Sequence, residues 1–446
     1  MTSDLDRLRQ KIARIDRKWH DGPAAAAAEE QRRWQTRAGR DVALAQSVRE
    51  AAPGGVEPDA GAAFGPARLS PQGIEELVCG EILQFSGATC FYTSRTYEFH
   101  RRHGNAEISA LAEMNGAPLG LKSAPARWAF LDTETTGLAG GTGTYCFLVG
   151  VGAVEGRDFR VRQFLMRDYA EEPALLDALT QHLANFDVLV TYNGKTFDAP
   201  LLETRFLLAR RRPAHARLEH LDLLYSARRL FRLRLSSCRL VELESAVLGF
   251  EREGDLPGEM IPYFYFDYLR THNALKLVPI LHHNVMDIVT LACLTALVLA
   301  AVGDPEAAPL AHPLDLYSLA AWVARVGNHE PARRLYRRAL VAGLPEAVDW
   351  KARAELAALY KRARDFEQAG AIWTELATGP AAWRLGALEE LAKYHEHRVR
   401  DYPRALEAAR LGLSAAALPE VAAAWQRRVA RLERKLAGRA PRISGL

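Results

Sequence analysis

Four apolar residues, Trp128-Ala129-Phe130-Leu131, run directly into Asp132-Thr133-Glu134, and this junction restricts the fold more than any other stretch of the chain. A short apolar run of this kind reads as a buried strand. Side chains at i and i+2 leave the same face of a strand. Asp132 and Glu134 therefore stand side by side where the strand leaves the core. At ~4 Å two like charges repel by roughly 4 kcal/mol at an effective dielectric of 20. A fold keeps such a pair where something offsets the repulsion, and a bound divalent cation does so.

The surrounding pattern predicts an α/β domain with a mixed sheet. A Gly/Thr-rich turn at 137–144 follows the first strand, and Tyr145 to Val154 is a long β-prone run. Phe159, Val161, Phe164 and Leu165 suggest a third strand after the turn at Gly156. Residues 172–185 read as a helix with Leu175, Leu176, Leu179 and Leu183 on one face. Val188 to Tyr192 is another buried strand, and a helix follows through Leu201, Leu202 and Phe206. The glycine cluster in the turn lacks the Lys of a phosphate-binding loop, so it is read as a close backbone approach to the acids.

Two further acids have matching contexts. Asp198 ends Asn193-Gly194-Lys195-Thr196-Phe197-Asp198, after a strand and near a helix start. Asp287 ends His282-His283-Asn284-Val285-Met286-Asp287, where the apolar helix 285–302 is expected to begin. Four carboxylates carry a charge that two divalent cations neutralise.

Asp-x-Glu-Thr-Thr-Gly-Leu after a strand, Asn-Gly-x-x-Phe-Asp downstream, and a His four or five places before a final Asp together resemble the DEDD superfamily of 3′→5′ exonucleases. The resemblance covers about 127–303 and is closest to a bacterial branch with C-terminal tetratricopeptide-like repeats. It implies a ribonuclease-H-like fold and a two-metal nuclease acting on DNA or RNA. It implies that Asp132, Glu134, Asp198 and Asp287 hold two Mg²⁺ or Mn²⁺ ions, and that a histidine takes the proton of the attacking water. On a continuous helix His283 lies ~40° from Asp287 and His282 ~140° away. If Asn284 instead caps the helix, both histidines fall in the preceding loop and His282 is equally placed. A non-catalytic nucleic-acid-binding adaptor and a structure-specific endonuclease keep the same residues.

The chain has 446 residues, and at ~150 per domain about three regions are expected. Residues 1–70 read as a mostly disordered arm with a short amphipathic helix, because the Ala, Gly, Pro and Arg of 20–70 bury little. Residues 71–126 read as an ordered preamble, 127–303 as the nuclease domain, and 312–437 as tetratricopeptide-like repeats. Leu319, Ala332, Tyr336 and Ala339 recur as Leu356, Ala369, Trp373 and Leu376, and less cleanly as Leu391, Ala405 and Ala409. Such arrays present surfaces to protein partners, so a recruited nuclease is expected.

A formal net charge of +4 conceals polarity. Ten arginines stand against two acids over 205–239, while 240–267 is acidic. Arg210, Arg211, Arg212, Arg228 and Arg229 are the expected nucleic-acid contacts. Five cysteines without a C-x-x-C pair argue against a disulfide framework. The charged N-terminus and an uncharged apolar stretch limited to 288–302 lead to the expectation of a cytoplasmic protein with no membrane partner.

Overall fold

The computed structural model describes residues 73–85, 87–98, 100–137 and 142–437. The expected N-terminal helix and arm, and residues 138–141 of the glycine-rich turn, lie outside the described residues. The chain divides into two units. In one of them the described residues are Arg252–Asp255, where Arg252 pairs with Asp255 at 2.9 Å around Gly254, a residue with φ of 71°. The other, Gln72–Glu251 with Leu256–Leu446, holds the elements described below.

Its centre is a mixed sheet of seven strands in the order β1-β2-β7-β6-β5-β8-β9. These are β1 (Gly80–Phe85), β2 (Ala88–Tyr97), β5 (Trp128–Thr135), β6 (Cys146–Glu155), β7 (Asp158–Leu165), β8 (Val188–Thr191) and β9 (Glu219–Asp222); β3 (Arg102–His103) and β4 (Ala106–Glu107) form a separate small ladder. The segment 71–126 thus supplies two strands of the central sheet, the edge strand β1 and its neighbour β2. β5, β6 and β7 pair antiparallel, whereas β8 lies parallel to both β5 and β9. Trp128, Ala129, Phe130 and Leu131 are all buried, as a strand covered on both faces requires.

Helices cover the sheet. Of those before the sheet's last strand, α1 is Ile74–Leu77, α2 Glu172–Leu183 and α3 Asp198–Leu208. After it come α4 (Leu223–Phe231), α5 (Leu240–Leu243), α6 (Ile261–Thr271) and α7 (Val278–Gly303). His182 of α2 meets the ring of Phe164, while Asn284 of α7 meets Gln163, the next residue on β7. Alternation along the strand then places α2 and α7 on opposite faces. α7 is long and apolar enough to cross a membrane by length and composition, yet 78% of that window is buried inside the fold. It is the core helix of the domain.

α7 also corrects the expected boundary. It starts at Val278, with Pro279 in its first turn, and continues unbroken through His282, His283 and Asn284. Asn284 is therefore no helix cap. It lies mid-helix and is fully buried.

Beyond α7 the chain is helical: α8 (Pro313–Arg325), α9 (His329–Ala342), α10 (Glu346–Arg362), α11 (Phe366–Thr378), α12 (Ala381–Tyr394), α13 (Tyr402–Ala415) and α14 (Pro419–Ala437). All eleven recurring positions named above are buried. The second helix of each pair starts after the same device. Gly327, Arg364 and Arg400 take positive φ, and Asn328, Asp365 and Asp401 follow at the N-cap. Asp365 and Asp401 accept the amides of Gln368 and Arg404, which satisfies otherwise orphaned helix donors.

Candidate active site

Asp132 and Glu134 lie on the last residues of β5, Asp198 meets that strand through Thr133, and Asp287 lies on α7. Asp132 and Glu134 leave that strand toward α7. Asn284 of α7 donates from Nδ2 to Asp132 Oδ2 at 2.8 Å, and Glu134, on the same face two residues on, is buried. Asp287 lies one turn beyond His283 on α7, and His283 Nε2 stands 3.6 Å from Asp287 Oδ2. His283 is buried, whereas His282 is exposed. An unbroken helix thus separates the two histidines: His283 shares a face with Asp287 and His282 turns to solvent.

Asp198 approaches from the other side. It opens α3, where an acid favours the helix dipole. Its Oδ1 accepts the Thr133 hydroxyl at 2.5 Å, and Thr133 points away from the face used by Asp132 and Glu134. Burial pushes the Asp198 carboxyl up to about 6, with the nearby Asp222 carboxylate adding to the rise and the Thr133 hydrogen bond opposing it.

Asp222 escaped the sequence reading. Its Oδ1 accepts the amides of Asn193 (2.8 Å) and Leu224 (3.1 Å), and its Oδ2 accepts that of Lys195 (3.1 Å). It thereby caps α4 and also fixes the turn leading to Asp198, in which Asn193 takes a φ of 64°. The available signal was an acid directly before the Leu223-Leu224 start of a helix.

Because folding raises the Asp198 pKa, this carboxylate's relative contribution to stability is largest below its unfolded value and is lost as pH rises through about 6. Asp198→Asn keeps an acceptor for Thr133 and removes the titration. In metal-free protein its melting temperature should match wild type below about pH 4 and exceed it increasingly toward pH 7. A variant less stable than wild type at pH 7 would contradict the burial argument.

Of the arginines expected to meet nucleic acid, Arg210, Arg212, Arg228 and Arg229 are exposed. Arg211 instead closes a two-pronged pair with Asp177 at 2.5 and 2.7 Å. The Arg229 guanidinium also lies 4.7 Å from the Trp322 ring of α8. Three more arginines of the stretch work inside the fold. Buried Arg205 grips Glu172 at 2.5 and 2.6 Å, covers the Tyr145 ring, and donates to Thr142 O at 2.8 Å. Arg217 donates to the carbonyls of Leu183 and Phe186. Arg234 joins Asp315 at 2.8 Å. The planar fork of arginine suits such paired acceptors, so much of the positive segment is neutralised locally.

Among the described residues, no group of three or more His, Cys, Asp or Glu side chains stands at metal-ligand spacing. The donor chemistry nonetheless suits a hard divalent cation, since all four acids offer carboxylate oxygens. The hydrogen bonds from Asn284 and Thr133 orient Asp132 and Asp198 from opposite sides of the strand end, as the partners of ligating carboxylates do.

Residues 129–299 match a family described as belonging to the RNase_H superfamily. A relative from Bacillus subtilis (strain 168), "Uncharacterized protein YprB", is 36% identical over 313 residues, covering 69% of this chain and 74% of that protein. The chain belongs to the RNase H superfamily. Superfamily domains are usually nucleases that use divalent metals. The matched span begins on β5 and ends in α7, so it includes all four acids and both histidines.

Proposed function

We propose that this RNase H-like chain is a two-metal nuclease that removes nucleotides from the 3′ end of DNA or RNA, and that its helical repeats recruit it to a protein partner. The observation that carries the reading is the Asn284–Asp132 contact, which joins the Asp132/Glu134 strand to the helix that bears the His283–Asp287 pair, with Asp198 against Thr133 of the same strand. Asp132, Glu134, Asp198 and Asp287 would hold two Mg²⁺ or Mn²⁺ ions. When bound, the ions would offset the four carboxylate charges and polarise a phosphodiester.

The remaining work belongs to the chain. His283 Nε2, 3.6 Å from Asp287 Oδ2, is the nitrogen placed to take a proton from the attacking water. Burial keeps the His283 ring from swinging into solvent, which exposed His282 lacks. Exposed Arg210, Arg212, Arg228 and Arg229 supply positive charge for the phosphate backbone.

The test uses 3′-labelled, 5′-labelled and circular DNA and RNA with and without Mn²⁺. Single nucleotides should leave linear 3′ ends, and circles should stay intact. His283→Ala should slow release by ~10²–10⁴-fold and His282→Ala should leave it unchanged. Cut circles would make the chain an endonuclease. No hydrolysis, together with no Mn²⁺-dependent rise in melting temperature, would make it a binding adaptor.

A further inference from the structure

We infer that Asn284 and Gln163 form a positioning relay for Asp132, built over a gap at Gly150. This deepens the nuclease reading and rests on it. The register places Asp132 of β5, Gly150 of β6 and Gln163 of β7 on one rung of the sheet. Residues paired across a rung share a face, so glycine leaves a notch between two polar side chains. The Asn284 amide fills it: a Cβ at Gly150 would come within 2.1 Å of Asn284 Oδ1.

The hydrogen bonds run in one direction. Gln163 Nε2 donates at 2.9 Å to the Leu281 carbonyl, which only accepts, so the glutamine nitrogen must face α7. Its other hydrogen goes to Asn284 Oδ1, also at 2.9 Å. That turns Asn284 Nδ2 toward Asp132, where it donates to Oδ2 at 2.8 Å and lies 3.3 Å from the backbone oxygen. Every amide orientation is thus dictated by an acceptor that cannot reverse. Gln163 and Asn284 are both buried, so water does not compete for these contacts. A helix position that only needed packing would be served by a leucine. Here a polar amide is buried completely, and its donor meets the first of the site's carboxylates.

Asn284 is a positioning residue: it acts through Asp132 and touches no substrate itself. Partners that orient metal-ligating groups typically change metal affinity or activity by ~10–100-fold when removed. The experiment compares wild type, Asn284→Ala and Gln163→Met as full-length proteins. Asn284→Ala should raise the Mn²⁺ concentration for half-maximal thermal stabilisation by ~10–100-fold, lower kcat similarly, and leave the KM for a labelled strand unchanged. Gln163→Met, which keeps Asn284 but releases its orientation, should shift the same quantities less.

Metal-free crystal structures of wild type and Asn284→Ala give a readout independent of activity, and Asp132 should take a different side-chain conformation in the variant. An unmoved Asp132, or a folded variant with wild-type Mn²⁺ midpoint and kcat, overturns the relay. If Asn284→Ala does not fold, Gln163→Met decides by the same measures. If wild type neither hydrolyses strands nor responds to Mn²⁺, the nuclease reading fails, while the metal-free structures still decide whether the relay positions Asp132.

Discussion

Asp132→Asn is expected to reduce Mn²⁺-dependent hydrolysis of labelled strands to background while leaving the fold intact. Polarisation of a phosphoryl oxygen by a metal is worth several kcal/mol. At 1.36 kcal/mol per tenfold change, its loss corresponds to roughly 10³-fold in rate. The substitution alters little else. The introduced amide keeps an oxygen that accepts from Asn284 Nδ2, and it removes one of two like charges two residues apart on β5. The metal-free melting temperature should therefore equal or exceed that of wild type, and the Mn²⁺-dependent rise should shrink. Hydrolysis at the wild-type rate by pure variant would remove Asp132 from the site.

The parts of this arrangement legible in the sequence depend on local pattern. β5 through β8 and α2 follow from apolar runs bounded by turn residues, and the helix after β8 begins at Asp198. Asp132 with Glu134 was legible because two residues of one strand end share a face. The start of α7 was not. His282, His283 and Asn284 interrupt the apolar pattern, and only Pro279, well placed for a first helical turn, marked an earlier beginning.

Long-range pairings were hidden for a different reason. Asn284 is 121 residues from Gln163 and 152 from Asp132, and nothing but sheet register brings them to one rung. The arginine segment misled in the same way. Net charge counts Arg211 and Arg205 as available, whereas their acceptors, Asp177 and Glu172, lie 34 and 33 residues upstream on the neighbouring helix. Asp222 combined both difficulties: its cap for α4 is local, but its grip on the turn before Asp198 spans 27 to 29 residues.

Gly150→Ala should destabilise the protein and also disable the site, because one added carbon reaches two groups of α7. Built on the present backbone, its Cβ would lie 2.1 Å from Asn284 Oδ1 and 2.4 Å from Ile288 Cδ1. Neither neighbour has room to retreat easily. Both are completely buried, and Asn284 is tied to Gln163 and Asp132. Overpacking of this kind costs ~1–3 kcal/mol. For a domain of this size that corresponds to roughly 2–4 °C in melting temperature per kcal/mol. The functional loss should be larger than the loss of stability, since α7 carries His283 and Asp287 as well as Asn284, and a small displacement moves all three relative to β5. Gly386→Ala is the matched control. It lies in α12, where an added Cβ would meet nothing within 4 Å beyond its chain neighbours and the helix's own backbone. There alanine should raise stability by about 1 kcal/mol through helix propensity and leave hydrolysis unchanged. A Gly150→Ala protein with wild-type melting temperature and rate would show that α7 does not seat on β6 through this glycine.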